Sequence, residues 1–234
     1  ANNIRNKFRL LMIIEIIFII ILILVIIRNY FKYDKEYKGI FTHKYYRDFP
    51  SDKSPSTVEY LLNKQITAKA LSATILNLIY KKKIEFTKIK DNDYTLTLID
   101  DKNNLSMEEK EALMFVFDDK NTITLSELKK RGKKNYESVM NNYNNWHVAA
   151  LVNAESYNFF EKNKKAKSKL VLLPFSFIII DILFFMEYMP DNLLNIVLLI
   201  LSIICIIYIL ASSKRTHSGN EEYLKWNALK NFMN

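Results

Sequence analysis

Glycine and proline are nearly missing from this chain of 234 residues: it holds three of the first and four of the second. That scarcity excludes collagen-like tracts, long flexible linkers and glycine-rich phosphate loops. No GxGxxG, GxxxxGK or GxSxG pattern occurs, so the usual phosphate-cradling and nucleophile-elbow signals are lacking. The single cysteine, Cys205, allows neither a disulfide within the chain nor a thiolate metal site. The three histidines, His43, His147 and His217, show no HExxH or other paired ligand spacing. No metal and no other cofactor is expected. Ser, His and Asp all occur, but a triad is recognised by geometry, and nothing in the order of residues fixes one. The acidic pairs Glu108-Glu109 and Asp118-Asp119 read as a helix cap and a loop. No catalytic residue is expected, and we read the chain as something other than an enzyme.

What the chain does have is hydrophobic length. Residues 10–27, 170–188 and 193–212 are almost wholly apolar. At about 1.5 Å per residue, each reaches roughly the 30 Å of a bilayer core. Pro174 is expected in the first turn of the second run, where a missing N–H matters little. The stretch EYMPDN, 187–192, reads as a tight turn joining the last two runs into a hairpin. The turn carries Glu187 and Asp191 and no cation. Lysines 162, 164, 165, 167 and 169 precede the hairpin, and Lys214 and Arg215 follow it. Positive flanks face the cytoplasm, so the turn is expected outside and both flanks inside. Arg28, Lys32, Lys35 and Lys38 place the end of the first helix inside too, with the N-terminus outside. The N-terminal flank, 1–9, strains that rule with Arg5, Lys7 and Arg9. An outer domain upstream of an N-terminal alanine would reconcile the two. Rich use of Ile, Lys and Asn suits a bacterial source, so the expected location is a bacterial cell membrane, crossed several times.

Most of the net charge of +9 lies between the apolar runs, with 27 Lys/Arg against 19 Asp/Glu from Arg28 to Lys169. The juxtamembrane linker, 28–50, is rich in aromatics, as interfacial segments are. Ser54-Pro55 then reads as a helix cap followed by proline at the first helical position. Val58, Leu61 and Leu62 share the face of that first helix. A second helix from Thr67 to about Lys82 carries the stripe Leu71, Ile75, Leu78, Ile79. Alternation predicts strands at 84–89 and 94–99, joined by Asp91-Asn92-Asp93. Helix, helix, hairpin is the order at the end of a winged helix. Ser106 to Glu109 and Thr124 to Glu127 read as capping boxes. The first opens a helix with Ala112, Leu113, Val116 and Phe117 inward. A long helix, 134–161, spaces Tyr136, Met140, Tyr143, His147, Ala150, Ala154 and Tyr157 by alternating fours and threes. The expected fold class is therefore a membrane α-helical protein with three transmembrane helices and a cytoplasmic α+β, winged-helix-like domain. Its two lobes are expected at 51–104 and 105–169, followed after the hairpin by a cytoplasmic tail, 213–234.

Some residue words point to a family. Tyr46-Arg47-Asp48-Phe49-Pro50-Ser51-Asp52, then Ser54-Pro55 and Tyr60-Leu61-Leu62, resembles a signature of the YciQ-like predicted bacterial membrane proteins, domain-of-unknown-function family 2207. Ala73 to Ile79 before a lysine-rich turn, Leu105-Ser106 and Glu111 continue the likeness. So does the tail, with Arg215-Thr216, Gly219, Glu222, Trp226, Leu229-Lys230 and Phe232. The resemblance covers about residues 44–234. It implies an outer β-rich domain before the first membrane helix, which this chain lacks. It implies no activity and no catalytic residues; Arg47, Asp48, Pro50, Ser54, Pro55, Gly219 and Trp226 are expected to be structural.

Three functions follow from these features. The first is a membrane-anchored interaction module that binds a cytoplasmic protein, or another copy, at the inner face; it predicts an exposed apolar or aromatic patch. The second is a membrane-tethered DNA-binding regulator using Lys81, Lys82 and Lys83 and the run Lys129, Lys130, Arg131, Lys133, Lys134. Asp91, Asp93, Asp100 and Asp101 crowd the wing where phosphates would lie, so nucleic acid is not the expected partner; lipid headgroups suit the same lysines better. The third is a small transport or channel component using Glu15 and Asp181. A bare charge near the bilayer centre costs about 2.5–3.5 kcal/mol or more, so Asp181 is expected to be neutral or bonded, with Ser176, Ser202 or Tyr208 as partners in a polar clamp.

Overall fold

The computed structural model describes residues 2–90, 93–99, 104–188 and 193–234. The chain divides into two compact units: residues 1–38 with 160–216, and residues 39–159 with 217–234.

The first unit is helical. It contains α1 (Asn2–Asn29), which runs into a π-helical turn at Tyr30–Asp34, and the later helices α7 (Lys164–Tyr188) and α8 (Leu193–Ala211). Two of its helical stretches, Arg9–Asp34 and α8, are long and apolar enough to cross a membrane. Isoleucines and leucines such as Ile20, Leu24, Ile203 and Ile207 stay exposed on the outside, while Leu22, Val25, Phe177, Leu198, Cys205 and Ile209 close the centre. The buried side chains of α8 are Asn195, Leu198, Ser202, Cys205 and Ile209, a spacing of threes and fours that makes one seam. The Phe18 and Phe177 rings stack at 4.2 Å. Where α1 ends, Asn29 Nδ2 donates to Ser212 Oγ at 3.0 Å and the Tyr208 hydroxyl donates to Asp34 at 3.0 Å. Arg215 pairs with Glu36 at 2.8 Å, and Tyr37 donates to Glu161. These ties join the C-terminal ends of α1 and α8, so the two helices run parallel. Helix α7 begins at Lys164, six residues before the apolar run, which places Pro174 inside the helix rather than in its first turn. There it leaves the Leu170 carbonyl without its usual helical donor. The expected turn at 187–192 lies partly outside the described residues.

The second unit is α+β, and its caps follow the sequence. Ser54 accepts from the Thr57 N–H at 3.3 Å and opens α2 (Pro55–Asn63). Thr67 accepts from Lys69 N at 3.2 Å and opens α3 (Ala68–Tyr80). Reciprocal capping boxes, Ser106 with Glu109 and Thr124 with Glu127, open α4 (Met107–Phe117) and α5 (Leu125–Lys134). Strands β1 (Ile84–Lys90) and β2 (Asp93–Leu98) form the expected hairpin. Asp91 and Asn92 of its turn lie outside the described residues, as do Asp100 and Asp101.

The division into two lobes is not what forms. A third strand, β3 (Thr122–Thr124), pairs antiparallel with β2, so the sheet spans both expected lobes in the order β1-β2-β3. Leu71 and Leu78, Ile84 and Leu96, Leu113 and Phe117, Ile123 and Trp146 then share one core. The expected helix over 134–161 is α6 (Tyr136–Ser156). It is separated from α5 by Asn135, whose φ of −124° and ψ of 53° are not helical. Its inward face is Tyr143, Trp146, Ala150 and Ala154. Tyr136 and Tyr157 of the expected seam are exposed instead. The tail is not separate either. It forms α9 (His217–Met233), on which residues 39–53 lie as a strap. Phe41 N donates to Glu221 at 3.1 Å, Tyr46 N to the Ala228 carbonyl at 3.2 Å, and Ser51 and Lys53 both reach Glu222. The aromatic linker expected over 28–50 is thus divided between the two units at Lys38.

Candidate functional site: a helix face held by three glutamates

Helix α3 is fixed at its start, middle and end by carboxylates from other elements. At its start, Glu59 of α2 accepts from Thr67 N at 2.9 Å and from Thr67 Oγ1 at 2.7 Å. At its middle, Thr74 faces Glu108 of α4 at 3.4 Å. At its end, Lys81 Nζ reaches Glu109 Oε1 at 2.9 Å.

Glu108 is the centre of this arrangement. It is 1% exposed, and among the described residues the donors that reach it are uncharged. Ser54 Oγ donates at 2.9 Å, Asn153 Nδ2 at 2.9 Å, and Ser56 and Thr74 donate from their hydroxyls. The caps of α2 and the first turn of α4 therefore meet at one carboxylate, where two helix N-termini favour negative charge. Reading Glu108-Glu109 as a cap holds for Glu109 alone. Sequence reasoning missed Glu108, Ser56, Thr74 and Asn153. The one available signal was two adjacent glutamates after a capping serine, of which the box uses only the second.

Glu109 is pulled two ways. Burial raises its pKa, while the Ser106 N–H and then Lys81 lower it by more, so the carboxyl ends below its ordinary value. A depressed carboxyl contributes stability above its unfolded pKa and loses it as pH falls through the folded one. Lys81 is half exposed, which limits the pair to about 1 kcal/mol or less. Lys81→Met is therefore expected to lower stability by at most about 1 kcal/mol at neutral pH. Thermal unfolding of the detergent-purified chain should show that difference closing below the usual carboxylate range.

With its inner side held, α3 turns Lys69, Ser72, Leu76 and Tyr80 outward, one residue per turn. Leu76 is 65% and Tyr80 86% exposed. The opposite side carries Ala70, Leu71, Thr74 and Leu78, all buried.

The expected basic residues separate. Lys81 is engaged by Glu109, and Arg131 donates to the Phe115 carbonyl with Asp118 at 4.0 Å. Lys82 stands exposed in the turn after α3, with Lys83 half-buried beside it, and Lys129, Lys130, Lys133 and Lys134 are exposed on α5. Asp93 accepts from Ser126 N at 3.2 Å, tying the hairpin to α5. His43, His147 and His217 stand on three different elements, and among the described residues no three His, Cys, Asp or Glu side chains converge as for a metal.

Several family-word residues have packing roles. Arg47 lies over the Phe232 ring at 5.4 Å, and Phe49 meets Trp226 at 6.2 Å. Ser54 and Pro55 begin α2. A Cβ added at Gly219 would fall 2.4 Å from the Phe159 carbonyl oxygen, so only glycine lets α9 approach there. Pro50 is half-buried in the strap, and Asp48 is exposed.

In the first unit, Glu15 and Asp181 are each 2% exposed although they lie on apolar helices. The proposed partners of Asp181 are engaged elsewhere in two cases: Tyr208 by Asp34, and Ser176 by the carbonyl of Leu173. Ser202 remains buried with its hydroxyl unpartnered.

No curated protein and no solved structure matches the chain. The family model described as predicted membrane protein (DUF2207) C-terminal domain matches residues 42–234. That span takes in the strap, the held helix, the sheet, α7, α8 and α9, and the chain belongs to this family of predicted membrane proteins.

Proposed function

We propose that the protein is a membrane-anchored interaction module. Three spans, with α7 as the third, anchor it in the bilayer, and the winged-helix-like α+β unit binds a protein partner on the cytoplasmic side through the outer face of α3. The observation that carries this reading is the exposure of Leu76 and Tyr80 on a helix that three glutamates hold in place. A pre-positioned apolar face gives up little conformational freedom on binding. Aromatic side chains of this kind are the usual anchors of protein interfaces. The same face speaks against DNA reading: Lys69 is its only cation, and a leucine and a tyrosine occupy the positions where base-reading helices carry hydrogen-bonding groups. The cytoplasmic placement is supported by the lysines that flank the hairpin.

The test is photo-crosslinking from position 76 in the full-length protein in its native membrane. A discrete protein adduct is expected, abolished by Tyr80→Glu and unaffected by Val152→Glu on the exposed face of α6. Equal crosslinking in both variants would remove the reading. A salt-sensitive shift of duplex DNA by the purified full chain, lost in Lys82→Glu, would favour the DNA regulator instead.

A further inference from the structure

The three-helix unit carries two acids from different helices to one level. Helix α8 runs parallel to α1 and antiparallel to α7, so α1 and α7 are antiparallel. The Phe18–Phe177 stack fixes their register. Glu15 lies three residues before Phe18 and Asp181 four residues after Phe177, so both stand about one turn beyond the stack on the same side. Both are 2% exposed, so both side chains turn into the bundle at that level. Asp181 Oδ1, an acceptor, has no partner.

The third helix buries a hydroxyl near that level. The Asn29–Ser212 bond sets α1 against α8, which puts Ser202 level with Ile19. Helical side chains lean toward the N-terminus, and on α8 that is toward the level of Glu15 and Asp181. Ser202 is 0% exposed, and its hydroxyl also lacks a partner. It stands about one turn from the level of the two acids, and neither carboxyl receives it. No Lys, Arg or His occurs in 10–27, 170–188 or 193–212. Among the described residues, the other buried polar groups of these helices are Asn29, Asn195, Cys205 and, just after α8, Ser212, none of them a cation, and Arg9 lies exposed beyond the level of Glu15.

We propose that Glu15 and Asp181 bind one proton between them, as a carboxyl–carboxylate pair. Two charged carboxylates side by side in hydrocarbon, with no cation, repel too strongly to persist. One shared proton converts that repulsion into a hydrogen bond that ties α1 to α7. Protonating the pair requires nothing but a proton from the aqueous side, and releasing it returns that proton. The proposal rests on α7 being a membrane span, as read above.

Infrared titration of the full chain reconstituted in lipid tests it, with the carbonyl stretch of protonated carboxyls as the readout. One carboxyl equivalent is expected to stay protonated at neutral pH, and the pair should titrate in two separate steps. Glu15→Gln and Asp181→Asn should each leave a single step. A wild-type curve equal to the sum of the two single-variant curves overturns the shared proton. Monodisperse elution and unchanged helicity qualify each variant before titration. The span is tested separately with Leu183→Cys: labelling by a water-soluble maleimide in sealed vesicles overturns the membrane reading of α7, whatever the infrared result.

Discussion

Trp146→Ala is expected to lower the stability of the protein by about 3–5 kcal/mol. The indole is wholly buried, in the cluster built from α3, the sheet and α4. Removing it leaves a cavity bordered by elements from both halves of the unit, none of which can collapse alone. Val152 is on the same helix but 64% exposed, and Val152→Ala should stay within about 0.5 kcal/mol of wild type. Thermal unfolding of the detergent-purified chain measures both. Similar losses for the two variants would mean that residues 51–104 and 105–159 do not share a core.

Glu108→Ala is expected to be nearly as damaging, by about 3–4 kcal/mol, because it leaves several buried donors without an acceptor at once. The result should be local as well as global. Amide exchange of α3 and of the first turn of α2 should rise most, since Thr74, Ser54 and Ser56 lose their common acceptor. Glu108→Gln is the informative companion. Its amide keeps one acceptor oxygen, and hydroxyls can rotate to accept from the new N–H groups. It should recover most of the loss, leaving a cost of about 1–2 kcal/mol. If the alanine variant unfolds like wild type, the carboxylate does not hold α3, and the pre-positioned face loses its support.

The reading of helix starts from sequence succeeds because capping is local chemistry. Ser54, Thr67, Ser106 and Thr124 each bond a backbone N–H two or three residues away, so the spacing carries the whole instruction. The inward faces of α3 and α4 are equally legible from their periodicity. The α6 seam misleads at its ends, Tyr136 and Tyr157, because seven residues fit a heptad rhythm, whereas the core takes only Tyr143, Ala150 and Ala154 of them, with Trp146. Glu108 was hidden for a related reason. A second glutamate after a capping serine looks like surface until distant residues, Ser54 and Asn153, close over it. Gly219 reads as an isolated glycine until the Phe159 carbonyl comes to rest against it.

From the order of residues alone come the apolar lengths, the lysine-rich flanks, the caps and the hairpin, because hydrophobicity, charge and short-range hydrogen bonding act within a few residues of their source. Tertiary structure decided the rest. It merged two expected lobes through β3, wrapped the tail under the strap, and brought Ser54, Thr74, Glu108 and Asn153 to one point. Contacts between residues tens of positions apart depend on which surfaces meet when the chain closes, and no local rule states that meeting.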